Sequence, residues 1–522
     1  MRITNKIMQR NNLANINTNK IYQDKLTSQM STQKKINRPS DDPVVAIRAL
    51  RLRGNVTEIS QYYDKNIPDA ESWLEVTESA LNNLSTVITS MSDQCVKGSN
   101  GDLTVSDREI IVEQLKALAD EVYSTGDVDY AGRYVFTGYR TDTSLSFMKE
   151  AKVSYSITEQ LDNSAIDKVT KVDTGDLLNL NANNYDSTYA GINESDISSV
   201  EVHRIRLAYN DCSDNATPSV SVKQKQADGT YADTVIWSAA DGSITTVHSY
   251  ETPSPYVQAA ENDDAVIFVP ETGELLLGKN KYDELMAVKD DPATIADESE
   301  IRVTYQKDEW ATGDLRPEHY FYCTATDSET GEVIEYNPDY LTDTVERQVI
   351  EYDVGFNQTI QVNTTADECF THAIGREVDD LVESMQNVID LENIKTNLEK
   401  WQATATGAAA DTVAAQLDAV EKALTLAKDK TQKLFEAGIT AFQGHLDATN
   451  LSITNCGTRS SKLELIGNRM QNQKTTFETL KSENEDADIT EVAIQLNSAE
   501  LTYEAALMAT GKVMQTTLLD FI

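Results

Sequence analysis

The chain has 522 residues and a formal net charge of −40, with a pI near 4.4; that length suggests about three domains. So acidic a protein is excluded as a nucleic-acid coat, because neutralising phosphates needs a Lys- and Arg-rich surface. A chain this long can also bury a core without disulfides or metals, and its five cysteines (Cys95, Cys212, Cys323, Cys369 and Cys456) are spaced too widely for a metal knuckle or a disulfide framework.

The opening stretch, MRITNKIMQRNNLANINTNK, interrupts every apolar pair with Lys or Asn. No signal-peptide core and no membrane span of about 20 residues is expected there. The reading is therefore a soluble protein with no membrane partner, which leaves the cell by no leader-dependent route. Ile3, Ile7, Ala14 and Ile21 mark one helical stripe, but six Asn at 5, 11, 12, 15, 17 and 19 weaken it. Such a helix is marginal alone and should order against a neighbour, for which the stripe at the C-terminus is the natural candidate. Residues 1–60 hold 11 basic and 4 acidic side chains, whereas residues 141–370 hold 15 and 44. The ends and the middle are different materials.

The ten prolines fall between positions 39 and 338, which permits long helices at both ends. Asp42 before Pro43 reads as an N-cap followed by proline at the first helical position. Beyond it, Trp73, Val76, Ala80, Leu84, Val87 and Met91 recur at helical spacing. After a break at KGSNGDLTVSD, Ser106 to Glu109 reads as a capping box that starts a second helix antiparallel to the first.

From about residue 141 the texture becomes short alternating runs, among them SVEVHRIRLAY, AVIFVPETGELLLG and IRVTYQ. Hairpins are expected at Glu271-Thr272-Gly273 and at Ser328-Glu329-Thr330-Gly331, with a helical insert around KNKYDELMAVKDDP. Beyond Thr365 helical texture returns in three blocks, CFTHAIGREVDDLVESMQNVID, the run from Asp411 to Leu446, and LELIGNRMQNQKTTFETLKSE. A last helix after the acidic break ENEDAD carries Ile489, Val492, Leu496, Ala499, Tyr503, Ala506, Met514, Leu518 and Phe521. That seam drifts from a strict seven-residue repeat, so an unsupercoiled or gently right-handed pairing is expected. The fold class is α+β: a helical bundle made from both chain ends, with a β-rich domain inserted in it.

Several of these segments resemble the bacterial flagellin superfamily. MSTQKKINRPSDDPVVAIRAL, with Pro39, Ser40, Asp41, Asp42 and Pro43, is similar to the motif that closes the family's N-terminal helix. KGSNGDLTVSDREII resembles its inter-helix turn, and ENEDADITEV the approach to its C-terminal helix. Three features are similar to the branch that forms the hook–filament junction rather than to filament subunits: Pro43-Val44-Val45 after the paired Asp, the run from Gly132 to Tyr139, and the ending TTLLDFI.

The resemblance implies three parts. Residues 1–40 and 485–522 would be coiled-coil helices that order on assembly, residues 41–140 and 366–484 a bundle, and residues 141–365 an outward β-rich domain. Ile3, Ile7, Ala14, Ile21, Val492, Leu496, Tyr503, Met514, Leu518 and Phe521 would form the assembly interface, with Leu496, Tyr503, Leu518 and Phe521 facing Ile7, Ala14 and Ile21. The implied partners are further copies in a ring, hook-associated protein 1, flagellin and a flagellar export chaperone. The implied route is the flagellar type III apparatus, to the extracellular flagellum. A filament subunit is the alternative, and a secreted glycan-binding protein with flagellin-like ends a more remote one.

No enzyme is expected and no cofactor or metal. The five His never fall at HExxH spacing, and neither a GxSxG elbow, a P-loop nor an EF-hand pattern occurs. His319 beside Cys323 reads as a structural residue, and Tyr320, Phe321 and Tyr322 as strand aromatics rather than a glycan platform. Trp73 and Trp401 read as core.

Overall fold

The computed structural model describes residues 5–161, 165–214, 218–225, 231–238, 240–289, 301–327, 331–341 and 348–515. In chain order, α1 (Asn5–Thr32) is followed by α2 (Pro43–Gln61), a π-helical turn over Tyr62–Asn66, α3 (Ile67–Gly98) and α4 (Val105–Gly126). Next come β1 (Asp129–Tyr130), β2 (Arg133–Tyr134), β3 (Val153–Leu161), β4 (Ile166–Asp173), β5 (Ser198–Arg206), β6 (Ser219–Lys225), β7 (Tyr231–Ser238) and β8 (Thr245–Thr246). They are followed by α5 (Pro255–Glu261), β9 (Val266–Val269), β10 (Glu274–Leu277), α6 (Lys279–Lys289), β11 (Ile301–Lys307), β12 (Tyr322–Asp327), β13 (Val333–Tyr336), β14 (Glu351–Gly355) and β15 (Gln358–Gln361). Three helices close the described chain, α7 (His372–Gln402), α8 (Ala408–Glu485) and α9 (Ile489–Gln515). The α+β class is as expected.

Two compact units form: Met1–Glu71 with Tyr352–Ile360 and Ser461–Ile522, and Ser72–Glu351 with Gln361–Ser460. In the larger unit a six-stranded sheet, ordered β13-β12-β3-β11-β6-β7, and a five-stranded sheet, ordered β4-β5-β10-β9-β8, share one core. Ile157, Val220, Trp237 and Val303 from the first sheet pack with Ile205, Phe268, Leu275 and Leu277 from the second. On the other face of the five-stranded sheet, Val202, Ile267, Val269 and Leu276 pack with Tyr256 and Ala259 of α5. β9 and β10 are thus buried on both faces, which is why VIFV and ELLL are continuously apolar instead of alternating.

The hairpin expected at Gly273 is β9–β10, antiparallel. Gly273 has φ +60 there, and a Cβ would sit 1.9 Å from the Tyr209 carbonyl oxygen, so glycine is required twice over. β12 and β13 pair as the second hairpin; its turn residues Ser328 to Thr330 lie outside the described ones. The helical insert is α6.

Helices of the larger unit approach closely at small residues. A Cβ on Gly98 of α3 would lie 2.2 Å from the Phe435 ring of α8, and one on Gly438 would lie 3.3 Å from Cys95 Sγ. Ser384 of α7 and Thr431 of α8 share a buried hydroxyl hydrogen bond of 2.7 Å. Arg108 of α4, buried, donates to Glu392 of α7 at 2.8 Å.

Three local readings need correction. The cap of α4 is Thr104, not Ser106: its hydroxyl accepts from the Asp107 N–H at 3.2 Å, and the Asp107 carboxylate accepts from the Thr104 N–H at 3.1 Å. The run from Asp411 and the block LELIGNRMQNQ are not separate, since α8 runs 78 residues without interruption. Its polar stretch, Thr449 to Ser461, holds no proline, and its Thr hydroxyls bond to carbonyls four residues back within the helix. Finally, Pro317–His319 is a 3-10 turn, so Tyr320 and Phe321 precede the strand. Tyr320 donates to the Phe370 carbonyl at 2.8 Å, and the half-buried His319 bonds the Ser144 carbonyl through Nε2 at 3.0 Å. Trp73 is fully buried, while Trp401 is half-buried and stacks on Tyr185.

Candidate functional site: the paired chain ends and their hinge

In the smaller unit α1 packs along α9, joining residues more than 450 positions apart in sequence. Along α9 the covered positions include Val492, Leu496, Ala499, Tyr503, Ala506 and Thr510, which alternate by four and three, with Ala493 and Gln495 half-covered beside them. Along α1 they are Gln9, Asn12, Ile16, Asn19, Gln23 and Leu26, alternating three and four. Both seams therefore have a period of 3.5, the spacing of left-handed supercoiling, and within the described residues the expected drift is absent. It came from passing over Thr510, a polar residue in an apolar seam.

Among the described residues only one end of this seam is closely packed. Leu26, 2% exposed, packs with Val492 and Ala499, supported by Ala487 and Leu496. Further along, Asn and Gln occupy the α1 positions, and Tyr22 donates to Gln495 Oε1 at 3.4 Å. The asparagines that weaken α1 as an isolated helix thus lie partly in its seam. Polar residues there specify register at a cost in stability.

The stripe Ile7, Ala14 and Ile21 does not face α9. All three are exposed, Ile21 by 64%, and they form a second row with a spacing of seven. α9 carries a matching row in Ile494, Leu501 and Met508, with Leu501 68% exposed. Val492, Leu496 and Tyr503 are on the seam. The Met514 side chain, Ile3, Leu518 and Phe521 lie outside the described residues.

Between α1 and α2 the chain turns sharply, and the turn explains the paired Asp. Asp41 Oδ2 accepts the N–H groups of Asn37 and Arg38, at 3.2 and 2.9 Å. Asp42 Oδ1 accepts those of Val44 and Val45, at 3.0 and 3.1 Å, and Pro43 follows as the first helical residue. Each carboxylate satisfies two donors that a turn and a helix start leave orphaned. Pro39 and Ser40 occupy the exposed apex.

The turn is latched to the α8–α9 junction. Lys35 N–H donates to the Glu485 carbonyl at 2.7 Å and Ala487 N–H to the Gln33 carbonyl at 2.9 Å, a short antiparallel bridge. Gln33 holds φ +59 to make it. The Glu485 side chain, 3% exposed, accepts both Nε and Nη2 of Arg53 at 2.6 and 2.7 Å, with Lys34 Nζ at 3.7 Å. Lys34 also pairs with Asp486. The Arg53 fork holds the Glu485 carboxyl below its ordinary range, and Lys34 with Ser482 does the same for Asp486. Asp488 caps α9, accepting from Thr490 and Glu491 at 2.9 and 3.2 Å.

Sequence reasoning passed over Lys34, Arg53, Glu485 and Asp486. The available signal was charge: a basic N-terminal segment and an acidic ENED turn. The π-helical turn that follows α2 is held in the same unit. Asp64 pairs with Lys474 at 2.6 Å, Asn66 Nδ2 donates to the Asp353 carbonyl at 2.8 Å, and Tyr62 meets Phe356 edge-on at 5.8 Å.

Among the described residues no group of three or more His, Cys, Asp or Glu is placed to hold a metal, and no helix is long and apolar enough to cross a membrane. The exposed apolar rows flank the helix pair, beside a turn locked by charge.

Residues 3–141 match the bacterial flagellin N-terminal helical region. The chain is 31% identical over 170 residues to a flagellar hook-associated protein 3 of Salmonella typhimurium, covering 31% of this chain and 53% of that protein. It is 30% identical over 122 residues to a flagellin of Clostridium tyrobutyricum, covering 23% and 32% respectively. The chain spans about half the length of the hook-associated relatives it matches. A solved flagellar hook-associated protein from Vibrio parahaemolyticus aligns over 85% of this chain and 100% of its own, at 14% identity and a TM-score of 0.34. The match to the bacterial flagellin N-terminal helical region takes in α1 to α4 and the Asp41-Asp42-Pro43 turn between α1 and α2.

Proposed function

We propose that this protein is a structural subunit of the bacterial flagellum that forms the junction joining hook to filament. The observation that carries the reading is the helix pair of the chain ends, whose apolar rows Ile7, Ala14, Ile21 and Ile494, Leu501, Met508 have no partner within the described chain. Rows repeating every seven residues on both helices suit further helices of the same kind, so the partner is another copy in a ring. Val492, Leu496 and Tyr503 would hold each pair together while the outer rows join pairs. Met514, Leu518, Phe521 and Ile3 would extend the same surfaces. The turn from Pro39 to Pro43, locked to Glu485 and Asp486, would fix the direction in which the pair leaves the bundle.

On this reading the ring contacts hook-associated protein 1 below and flagellin above. The chain travels to the extracellular flagellum through the flagellar type III apparatus, accompanied by an export chaperone. Terminal helices that order fully only on assembly keep the subunit from polymerising early, consistent with a seam filled by Asn and Gln. The β-rich part, strongly acidic, suits an outward, hydrated surface, and no catalytic role is assigned to it.

Electron microscopy of cells lacking the protein, with an assay for flagellin in the medium, tests the reading. Bare hooks with flagellin released to the medium are expected. The match to a clostridial flagellin supports a second reading, a filament subunit; bare hooks with no flagellin in the medium would favour it. Intact filaments would overturn both.

A further inference from the structure

The larger unit contains a cavity of about 460 Å³ between β4 and β5 on one side and α7 and α8 on the other. Its size is in the range that takes a small molecule. Part of the wall is apolar, made by Leu381 of α7 and by Leu426, Leu434, Ala437 and Ala441 of α8.

The rest of the wall is charged, and nearly all of that charge is already matched. Arg204, buried, donates to Asp167 at 2.7 Å, to Asp380 at 2.9 Å and to Glu274 at 2.5 Å. Arg206 is held by Asp380 at 2.5 Å and by the Arg376 carbonyl at 2.8 Å. Lys171 meets both oxygens of Glu383 at 2.7 Å, and Lys433 pairs with Asp429 at 2.8 Å. Lys430 is different. It lines the same cavity, half-buried, and makes no ion pair or hydrogen bond with any described residue. Burial, reinforced by the charge of Lys171, pushes its ammonium down to about 8. Asp380 and Glu383 offset this only in part and neither pairs with Lys430 directly; a cation half withdrawn from water without a paired carboxylate is unfavourable, and an anion in the cavity would relieve it.

We propose that this cavity binds a small organic anion, a carboxylate with an apolar body, its head group on the Lys430 ammonium and its body against Leu381, Leu426 and Leu434. The carboxylate supplies the charge that Lys430 lacks, and the apolar wall selects against small hydrophilic anions. Nothing in the junction role calls for such a ligand, so the inference stands apart from it.

Titration calorimetry of the full chain tests it with sodium octanoate, 1-octanol and sodium acetate as probes. Octanoate is expected to bind saturably at one molecule per chain, with octanol and acetate each weaker by about tenfold or more. Lys430→Met should weaken octanoate to a similar degree, whereas Lys433→Met, which removes an exposed and already paired lysine, should not. The proposal is overturned if octanoate gives no saturable binding, if octanol binds as tightly, or if a normally melting Lys430→Met variant binds octanoate like the parent. Should that variant fail to fold, the comparison of octanoate with octanol on the unaltered chain decides the matter alone.

Discussion

The latch at Glu485 sets how firmly the paired ends are tied to the turn between α1 and α2, and Glu485→Gln is the perturbation that isolates it. Gln keeps the shape and one acceptor but loses the charge and one of the two Arg53 contacts of 2.6 and 2.7 Å. A charge-assisted hydrogen bond at a buried carboxylate contributes about 1.5–3 kcal/mol. Arg53 is 55% exposed and returns to water when released, so the value sits around or below the bottom of that range, about 1–2 kcal/mol. The backbone bridge from Lys35 to the Glu485 carbonyl remains, which confines the loss to the latch. Hydrogen exchange at the Lys35 and Ala487 amides reads it directly: 1–2 kcal/mol corresponds to a loss of protection of roughly 5–30-fold. The pH dependence has a definite sign. Because the folded state holds the Glu485 carboxyl low, its contribution is fully present above the ordinary glutamate pKa of about 4.3 and fades as pH falls through the lowered value. Protection at Lys35 should therefore drop on acidification in the parent and fall by less in the variant, where only Asp486 of the latch still titrates. Unchanged protection in Glu485→Gln at neutral pH would refute the reasoning.

Other perturbations follow from the same geometry. Asp42→Ala removes the cap of α2 and should cost about 1 kcal/mol in a thermal or denaturant melt, with Asp42→Asn close to the parent; an unchanged Ala variant would mean the Val44 and Val45 amides find water at no cost. Gly98→Ala drives a methyl into the Phe435 ring and should destabilise by about 1–3 kcal/mol, whereas Gly457→Ala, with nothing within 4 Å, should stabilise by about 0.4–1 kcal/mol. Similar melts for both would show that α3 and α8 part easily. Leu501→Asp should leave the monomer's melting temperature unchanged and abolish assembly in a complementation assay; Leu518→Asp should behave alike, and a large fall in monomer stability for either would assign the residue to the folded monomer. Limited proteolysis of the monomer should trim residues 1–40 and 485–522 and leave the middle intact, and ends that resist digestion would count against ordering on assembly.

The features decided within a few residues of sequence were legible in it. Asp42 before Pro43 announced a helix start, and Gly273 between two apolar runs announced a hairpin, because caps and turns are local chemistry. The α+β class followed from the change of period near residues 141 and 365. Thr104 was missed as a cap because Ser106-Asp107-Arg108-Glu109 offers the same pattern two residues later, and only the backbone shows which hydroxyl meets an orphan amide. The continuity of α8 was hidden because its polar stretch looks like a loop until packed neighbours stabilise it.

Contacts between distant segments were decided by the tertiary structure. Which face of α1 meets α9 is not written in hydrophobicity, since the more apolar stripe, Ile7 and Ile21, stays exposed while Gln9, Asn12, Asn19 and Gln23 take the seam. The latch of Arg53 on Glu485 and the unmatched charge of Lys430 depend on residues brought together from far along the chain. By itself the sequence determined where helices start, where the chain turns and how charge is apportioned. Which charges meet, and which apolar rows are left for a partner, was decided only by folding, because electrostatic and packing energies depend on distances that chain order does not specify.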